Sequence, residues 1–131
     1  MKVKKIWTDA DFDEMCWHDS IINSILLPSS DKNLNLNIDY IYDWVDDEAS
    51  RTYHIWKGPC SLSFSEVNDL AFSQTNQDIQ GTYISEISRR KTDDDHWYFE
   101  IVTGLGIISF VALGYTQIAK EQPVYLIEGG K

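Results

Sequence analysis

Four consecutive residues near the start of the chain carry the groups of a nucleophile, a base and an acid: Cys16, Trp17, His18 and Asp19. A thiol activated by an imidazole is a familiar nucleophile in enzymes. On a strand, however, adjacent side chains point to opposite faces, so only Cys16 and His18, or Trp17 and Asp19, share a face. Cys16 also follows a predicted helix, and the C-terminal end of a helix disfavours a thiolate. We interpret Cys16 as an ordinary thiol and assign no catalytic residue.

Two further groups of residues contain atoms that bind metal ions. Residues 93–96 read Asp-Asp-Asp-His, but they lack the spacer residues and the glycine of a calcium loop. The basic residues 89–91 precede them directly, which favours a solvated hairpin tip. A zinc site can be drawn from two cysteines and two histidines, Cys16, His18, His54 and Cys60, yet their spacing matches no zinc knuckle. The sequence therefore predicts neither a metal nor another cofactor.

The strongest structural signal is the alternation of polar and apolar residues over positions 33–40, Asn-Leu-Asn-Leu-Asn-Ile-Asp-Tyr. Successive side chains of a strand point to opposite faces, so this run has one apolar and one polar face. It predicts a half-buried antiparallel strand. A preceding strand over residues 18–27 would form a hairpin with it, because Pro28 and a polar turn separate the two.

The apolar faces of that hairpin match when Ile25 lies opposite Leu36, and a shift by one residue would bring serines onto the apolar face. The same register places His18 opposite Asp43 on the other face. Opposed side chains have Cβ atoms about 5 Å apart, so an imidazole and a carboxylate would be able to pair there. Such pairs at the end of a sheet are commonly plain surface electrostatics.

The remaining pattern predicts a mainly β, single-domain antiparallel meander of seven or eight strands over residues 1–131, closed as a barrel or folded as a sandwich. A short N-terminal helix begins after Thr8, since an acid three residues later fits a capping box. Gly58 and Pro59 are expected to break or bulge a strand. The uncharged run 101–119 is predicted to form two strands around a glycine turn rather than a membrane helix. The segment after Pro123 is predicted to be a loosely held tail.

Charge narrows the classes of partner. Eleven Lys and Arg stand against twenty-one Asp and Glu, a formal net charge of −10. This sign disfavours nucleic acid and anionic membranes and favours basic partners, although acidity is also common in proteins that simply remain soluble. Without an export signal after the first residues, we expect a cytoplasmic, reducing location and two free thiols.

Polar and aromatic side chains supply a candidate binding surface. Trp17, Trp44 and Trp56 accompany the histidines and acids named above, and exposed tryptophans commonly anchor interfaces. Filling a small core is an equally good explanation for them. The predicted binding residues are Trp17, His18, Asp19, Asp39, Asp43, Trp44, His54 and Trp56.

Several motifs resemble those of small uncharacterised bacterial proteins, some of which are similar to immunity proteins that neutralise a toxin by binding it. The motifs are Trp7-x-Asp9-x-Asp11, Trp17-His18-Asp19, Leu36-x-Ile38-Asp39-Tyr40-Ile41 with Trp44-Val45, Ile55-Trp56, Pro59-Cys60-x-Leu62-x-Phe64, and Phe110-x-Ala112-x-Gly114-x-x-Gln117. The resemblance implies a binding function and transfers no catalytic residue.

Three functions are consistent with these observations. The first is a non-enzymatic acidic interaction protein, such as an immunity protein that binds a basic toxin. The second is a small-ligand-binding barrel, or an enzyme, with a cleft near His18, Asp39 and Asp43. The third is a subunit whose sheet edges pair in a homodimer. We favour the first and expect no enzymatic activity.

Overall fold

Two long strands form the centre of the computed structural model, which describes residues 3–47, 52–73, 81–93 and 95–128. They are the third and fourth of ten described strands, and they pair antiparallel from end to end. A short 3-10 helix, Asp9–Glu14, follows the first strand. The strands in chain order are β1 (Ile6–Thr8), β2 (Ile21–Leu26), β3 (Leu34–Asp47), β4 (Thr52–Ser65), β5 (Asn68–Ser73), β6 (Ile84–Lys91), β7 (Trp97–Thr103), β8 (Gly106–Ala112), β9 (Gly114–Ala119) and β10 (Val124–Glu128).

The strands form two antiparallel sheets. The large sheet has the order β1-β9-β4-β3-β2, and β10 pairs with β4 on the edge that also carries β9. The small sheet has the order β5-β8-β7-β6. Within the described ranges neither sheet closes on itself, so the mainly β antiparallel prediction is confirmed and the closed-barrel alternative is wrong. The predicted number of seven or eight strands is too low, since the described residues form ten.

A shared core joins the two sheets. The period-two pattern of β3 places Leu34, Leu36 and Ile38 in this core, as the alternation predicts. Phe64 of β4 lies at its centre, where its ring centroid is 5.0 Å from that of Phe99 and 4.7 Å from that of Phe110 in the small sheet. Aromatic side chains from both sheets therefore bury one another.

The first hairpin confirms part of the predicted register and corrects the rest. Ile25 lies opposite Leu36 as predicted, but a bulge between Ile22 and Ser24 shifts the pairing by one residue. The bulge turns the side-chain amide of Asn23 away from the apolar face, and Ile22 is fully buried there instead.

The predicted break at Gly58 and Pro59 is wrong, because β4 runs through both residues. The carbonyl of Pro59 accepts a hydrogen bond from the Lys120 amide (2.9 Å), in the connection between β9 and β10. The nitrogen and carbonyl of a strand residue point to the same edge. Proline has no N–H to donate, and at position 59 the missing donor would point to an edge of β4 that has no ladder there. No ladder hydrogen bond is lost, so the strand tolerates proline at this position.

Three other segments refine the predictions. Residues 101–119 form strands around the turn at Gly104, as predicted, but the second strand divides into β8 and β9, which lie in different sheets. The described residues contain no helix long and apolar enough to cross a membrane. The expected loose tail is wrong, because β10 pairs with β4. The polar run at residues 46–50 predicts a loop after Val45. Strand β3 instead continues to Asp47, and residues 48–50 lie outside the described residues.

The predicted N-terminal helix is reduced to the six-residue 3-10 turn. Its start is as expected, because the Thr8 amide donates to the Asp11 carboxylate at 2.9 Å. A bidentate contact then fixes the turn to the small sheet: Arg89 donates to the Asp9 carboxylate (2.6 Å) and to its carbonyl (3.1 Å). The guanidinium also lies over the rings of Phe12 and Trp97, at 4.2 and 3.8 Å from their centroids.

Candidate interaction surface

The eight predicted binding residues do not form one site. Trp17 is buried, and its indole N–H donates to the side-chain oxygen of Gln117 at 2.8 Å. This tryptophan is therefore a core residue rather than an interface anchor. Asp39 lies in the middle of β3, opposite Pro59 on one side and Ile21 on the other.

His18 and Asp19 lie in the turn before β2. The His18 ring nitrogen Nδ1 is 3.2 Å from the carbonyl oxygen of Ser85, and Nε2 is 3.5 Å from the Asp19 carboxylate. Because β2 begins only at Ile21 and Asp43 pairs with Trp56, the proposed facing of His18 and Asp43 is wrong. His18 thus lies in the turn before β2, away from Asp39 and Asp43, which both lie on β3.

The other four residues do come together, at one end of the large sheet. We call this region the three-stranded end and define it as residues 41–47 of β3, residues 52–57 of β4, and β10. A bulge between Ile41 and Asp43 marks its start. Beyond it, Asp43 lies opposite Trp56, Trp44 opposite Ile55 and Val45 opposite His54. Strand β10 adds Tyr125 beside Trp56 and Ile127 beside His54.

Tyr125 is the centre of one face of this end. Its ring centroid is 5.0 Å from that of Trp56 and 5.3 Å from that of His54, and its hydroxyl is hydrogen-bonded to His54 Nδ1. Val45 and Ile127 lie on the same face, because directly paired residues share a face. Three strands thus contribute to one aromatic and aliphatic surface.

The opposite face carries Trp44 and Val124. Ile41 and Ile55 are also buried there, although they do not belong to the cluster that fills the core between the sheets. The three-stranded end therefore has apolar side chains on both faces.

This end is rich in large apolar side chains that face solvent. Trp44 is 42% exposed, Tyr125 45%, Val124 55% and Ile127 66%, and Val45 is exposed as well. The residues that define this end include four acids, Asp43, Asp46, Asp47 and Glu128, and a single lysine, Lys57. Exposed apolar patches with polar surroundings are common at interaction sites, and acidic side chains attract cationic groups.

The two cysteines differ in burial, since Cys16 is exposed and Cys60 is buried. Both are free thiols. Cys60 is buried beneath Tyr42, whose hydroxyl lies 3.3 Å from its sulfur, and burial raises the pKa of the Cys60 thiol. In the part of the chain that the structure describes, no three His, Cys, Asp or Glu side chains lie close enough to hold a metal ion.

Tyr125 and Ile127 are absent from the predicted binding residues, because Pro123 predicts a loose tail after it. A signal was present: residues 124–127 read Val-Tyr-Leu-Ile, an uncharged run with high strand propensity. Its partner strand lies about seventy residues earlier, so only the folded chain shows the contact.

Comparison of the chain with protein-family models, with curated proteins and with solved structures found no match.

Proposed function

We propose that this chain is a non-enzymatic binding protein that uses the three-stranded end to hold a basic protein partner. The observation that carries the proposal is the concentration of exposed apolar side chains, Trp44, Val124, Tyr125 and Ile127 among them, on three adjacent strands. Tryptophan and tyrosine supply large contact areas and dominate the energetics of many interfaces.

The acidic character of the chain supports the choice of a basic partner. With a net charge of −10, the protein attracts cationic surfaces over several ångströms and repels acidic ones. Electrostatic attraction of this kind accelerates association and makes it sensitive to salt. An immunity protein that neutralises a basic toxin is the specific form of the proposal.

The test uses the product of the neighbouring gene in the native genome as the candidate partner. The two proteins are co-expressed, and complex formation is measured by size-exclusion chromatography with light scattering and by titration calorimetry. We expect a complex, protection of the cells if that product is toxic, and an association rate that falls as salt is raised.

A matched pair of substitutions locates the interface. Trp44→Ala removes an indole that is 42% exposed, and Phe72→Ala removes a ring that is 43% exposed on β5 of the small sheet. We expect Trp44→Ala to weaken binding by about thirtyfold, the scale of an interface hot spot near 2 kcal/mol. Phe72→Ala should change affinity less than threefold. Equal losses for both variants, or no complex with the neighbouring product, would contradict the proposal.

A further inference from the structure

The edges of the two sheets differ in how they are protected from additional strands. Natural sheets shield their edges by shortness, bulges, charges or proline, because an unpaired edge is a template for another strand. Strand β1 is only three residues long. Strand β2 contains the bulge before Ser24, and β5 is interrupted near Asp69, which has a positive φ of 57°. Strand β6 ends in the exposed basic residues Arg90 and Lys91.

Strand β10 has none of these devices in its central part. Among the described residues it pairs only with β4, so its second edge carries unpaired backbone groups. Residues 124–127 are uncharged and favour strand structure, and their register with β4 contains no irregularity. Three of these four side chains, Val124, Tyr125 and Ile127, are exposed.

We propose that β10 is the site where the partner adds a strand, through an extended segment that alternates apolar and basic side chains. This inference rests on the proposed function and specifies how the three-stranded end would recognise its partner. Main-chain hydrogen bonds to the open edge of β10 would supply affinity, and alternate side chains would supply specificity. On one face the added strand would contact Tyr125 and Ile127, and on the other Val124.

The negative charge of this sheet end favours a basic partner over a second copy of the chain. Glu121 is exposed just before β10, Glu128 ends the strand, and Asp43 is exposed on the same sheet end. A second copy would bring the same acids and another net charge of −10 to this edge. A segment with lysine or arginine at alternate positions would instead be attracted to it.

The experiment uses the full chain and a defined probe: a capped octapeptide of alternating valine and lysine, followed by amide NMR and hydrogen exchange. We expect saturable binding at millimolar or lower peptide concentration, with chemical-shift changes centred on residues 124–128. Amides at the open edge of β10 should exchange at least tenfold more slowly when peptide is bound. The same peptide with alternate backbone nitrogens methylated should not bind, because it cannot complete the ladder.

Two substitutions of equal exposure and equal charge change test the location. Ile127→Lys places a charge on β10, where Ile127 is 66% exposed, and Leu26→Lys does the same on β2, where Leu26 is 67% exposed. We expect Ile127→Lys to weaken peptide binding at least tenfold and Leu26→Lys to leave it within twofold. Both variants should retain the melting temperature of the original chain within a few degrees, since each site is mostly solvated.

Three outcomes overturn the inference: no slowing of exchange on β10, an equal loss of binding in both lysine variants, or a concentration-dependent dimer that Ile127→Lys abolishes. The last would identify a second copy as the occupant. If the complex with the neighbouring product depends on Trp44 but not on Ile127, only the strand-addition inference fails. If no such complex forms, the proposed function fails, whatever the peptide does.

Discussion

Replacing Gly114 by alanine should disturb the contact that fixes the N-terminal turn to the small sheet. A Cβ atom at position 114 would lie 2.7 Å from Cγ and 2.8 Å from Oδ1 of Asp9, and closer still to Oδ2. The carboxylate is the mobile end of a side chain, so it can move aside. In doing so it gives up its 2.6 Å hydrogen bond from Arg89 and the 3.3 Å hydrogen bond from the Tyr115 amide.

The structure sets the size of the effect. A hydrogen bond to a charged group contributes about 1.5–3 kcal/mol to stability. The Asp9 side chain is 46% exposed, so solvent recovers part of that loss. Arg89 also keeps its bond to the Asp9 carbonyl and its contacts with two aromatic rings. Alanine returns about 0.4–1 kcal/mol by restricting the unfolded chain. We expect Gly114→Ala to lower the free energy of unfolding by about 1–2 kcal/mol.

The assay is a double-mutant cycle with Asp9→Ala, followed by urea unfolding at pH 7 with tryptophan fluorescence as the signal. When Asp9 is alanine, no carboxylate opposes the new methyl group. Gly114→Ala should then be neutral or stabilising by about 0.4–1 kcal/mol. If the substitution lowers stability by the same amount in both backgrounds, the steric explanation is refuted.

Two further predictions concern stability. Trp17→Phe removes the indole that donates to Gln117, a fully buried side chain. Urea unfolding should show that the free energy of unfolding falls by about 1–3 kcal/mol, because the amide of Gln117 is left unsatisfied. Adding Gln117→Leu should recover part of that loss. A hydrogen bond from Lys4 and one from the Thr8 amide lower the pKa of Asp11 below its usual 3.8. A carboxylate whose pKa is lower in the folded state than in the unfolded chain stabilises the fold at pH values above the unfolded-state pKa. This contribution disappears as pH falls through the folded-state pKa. Stability measured between roughly pH 5 and pH 2 should therefore fall less steeply in Asp11→Asn than in the original chain.

Part of the proposed interaction surface was accessible from the sequence. Trp44, His54 and Trp56 were predicted as binding residues, and the structure brings them together with Asp43. The prediction of Trp17 as a binding residue was wrong, because residue type alone does not distinguish a tryptophan that anchors an interface from one that fills a core. Its hydrogen bond to Gln117 links positions one hundred residues apart, and no local pattern indicates such a contact.

The alternation of residues 33–40 was sufficient to determine a strand and its buried face, since the direction of successive side chains depends only on the local backbone. The acidic charge and the absence of a recognisable catalytic motif were equally plain. Tertiary structure alone decided that β8 and β9 separate into different sheets, that a bulge turns Asn23 away from the core, and that β10 lies against β4. Each of these depends on which distant segments bury the same apolar surface, and that competition is settled only when the whole core packs.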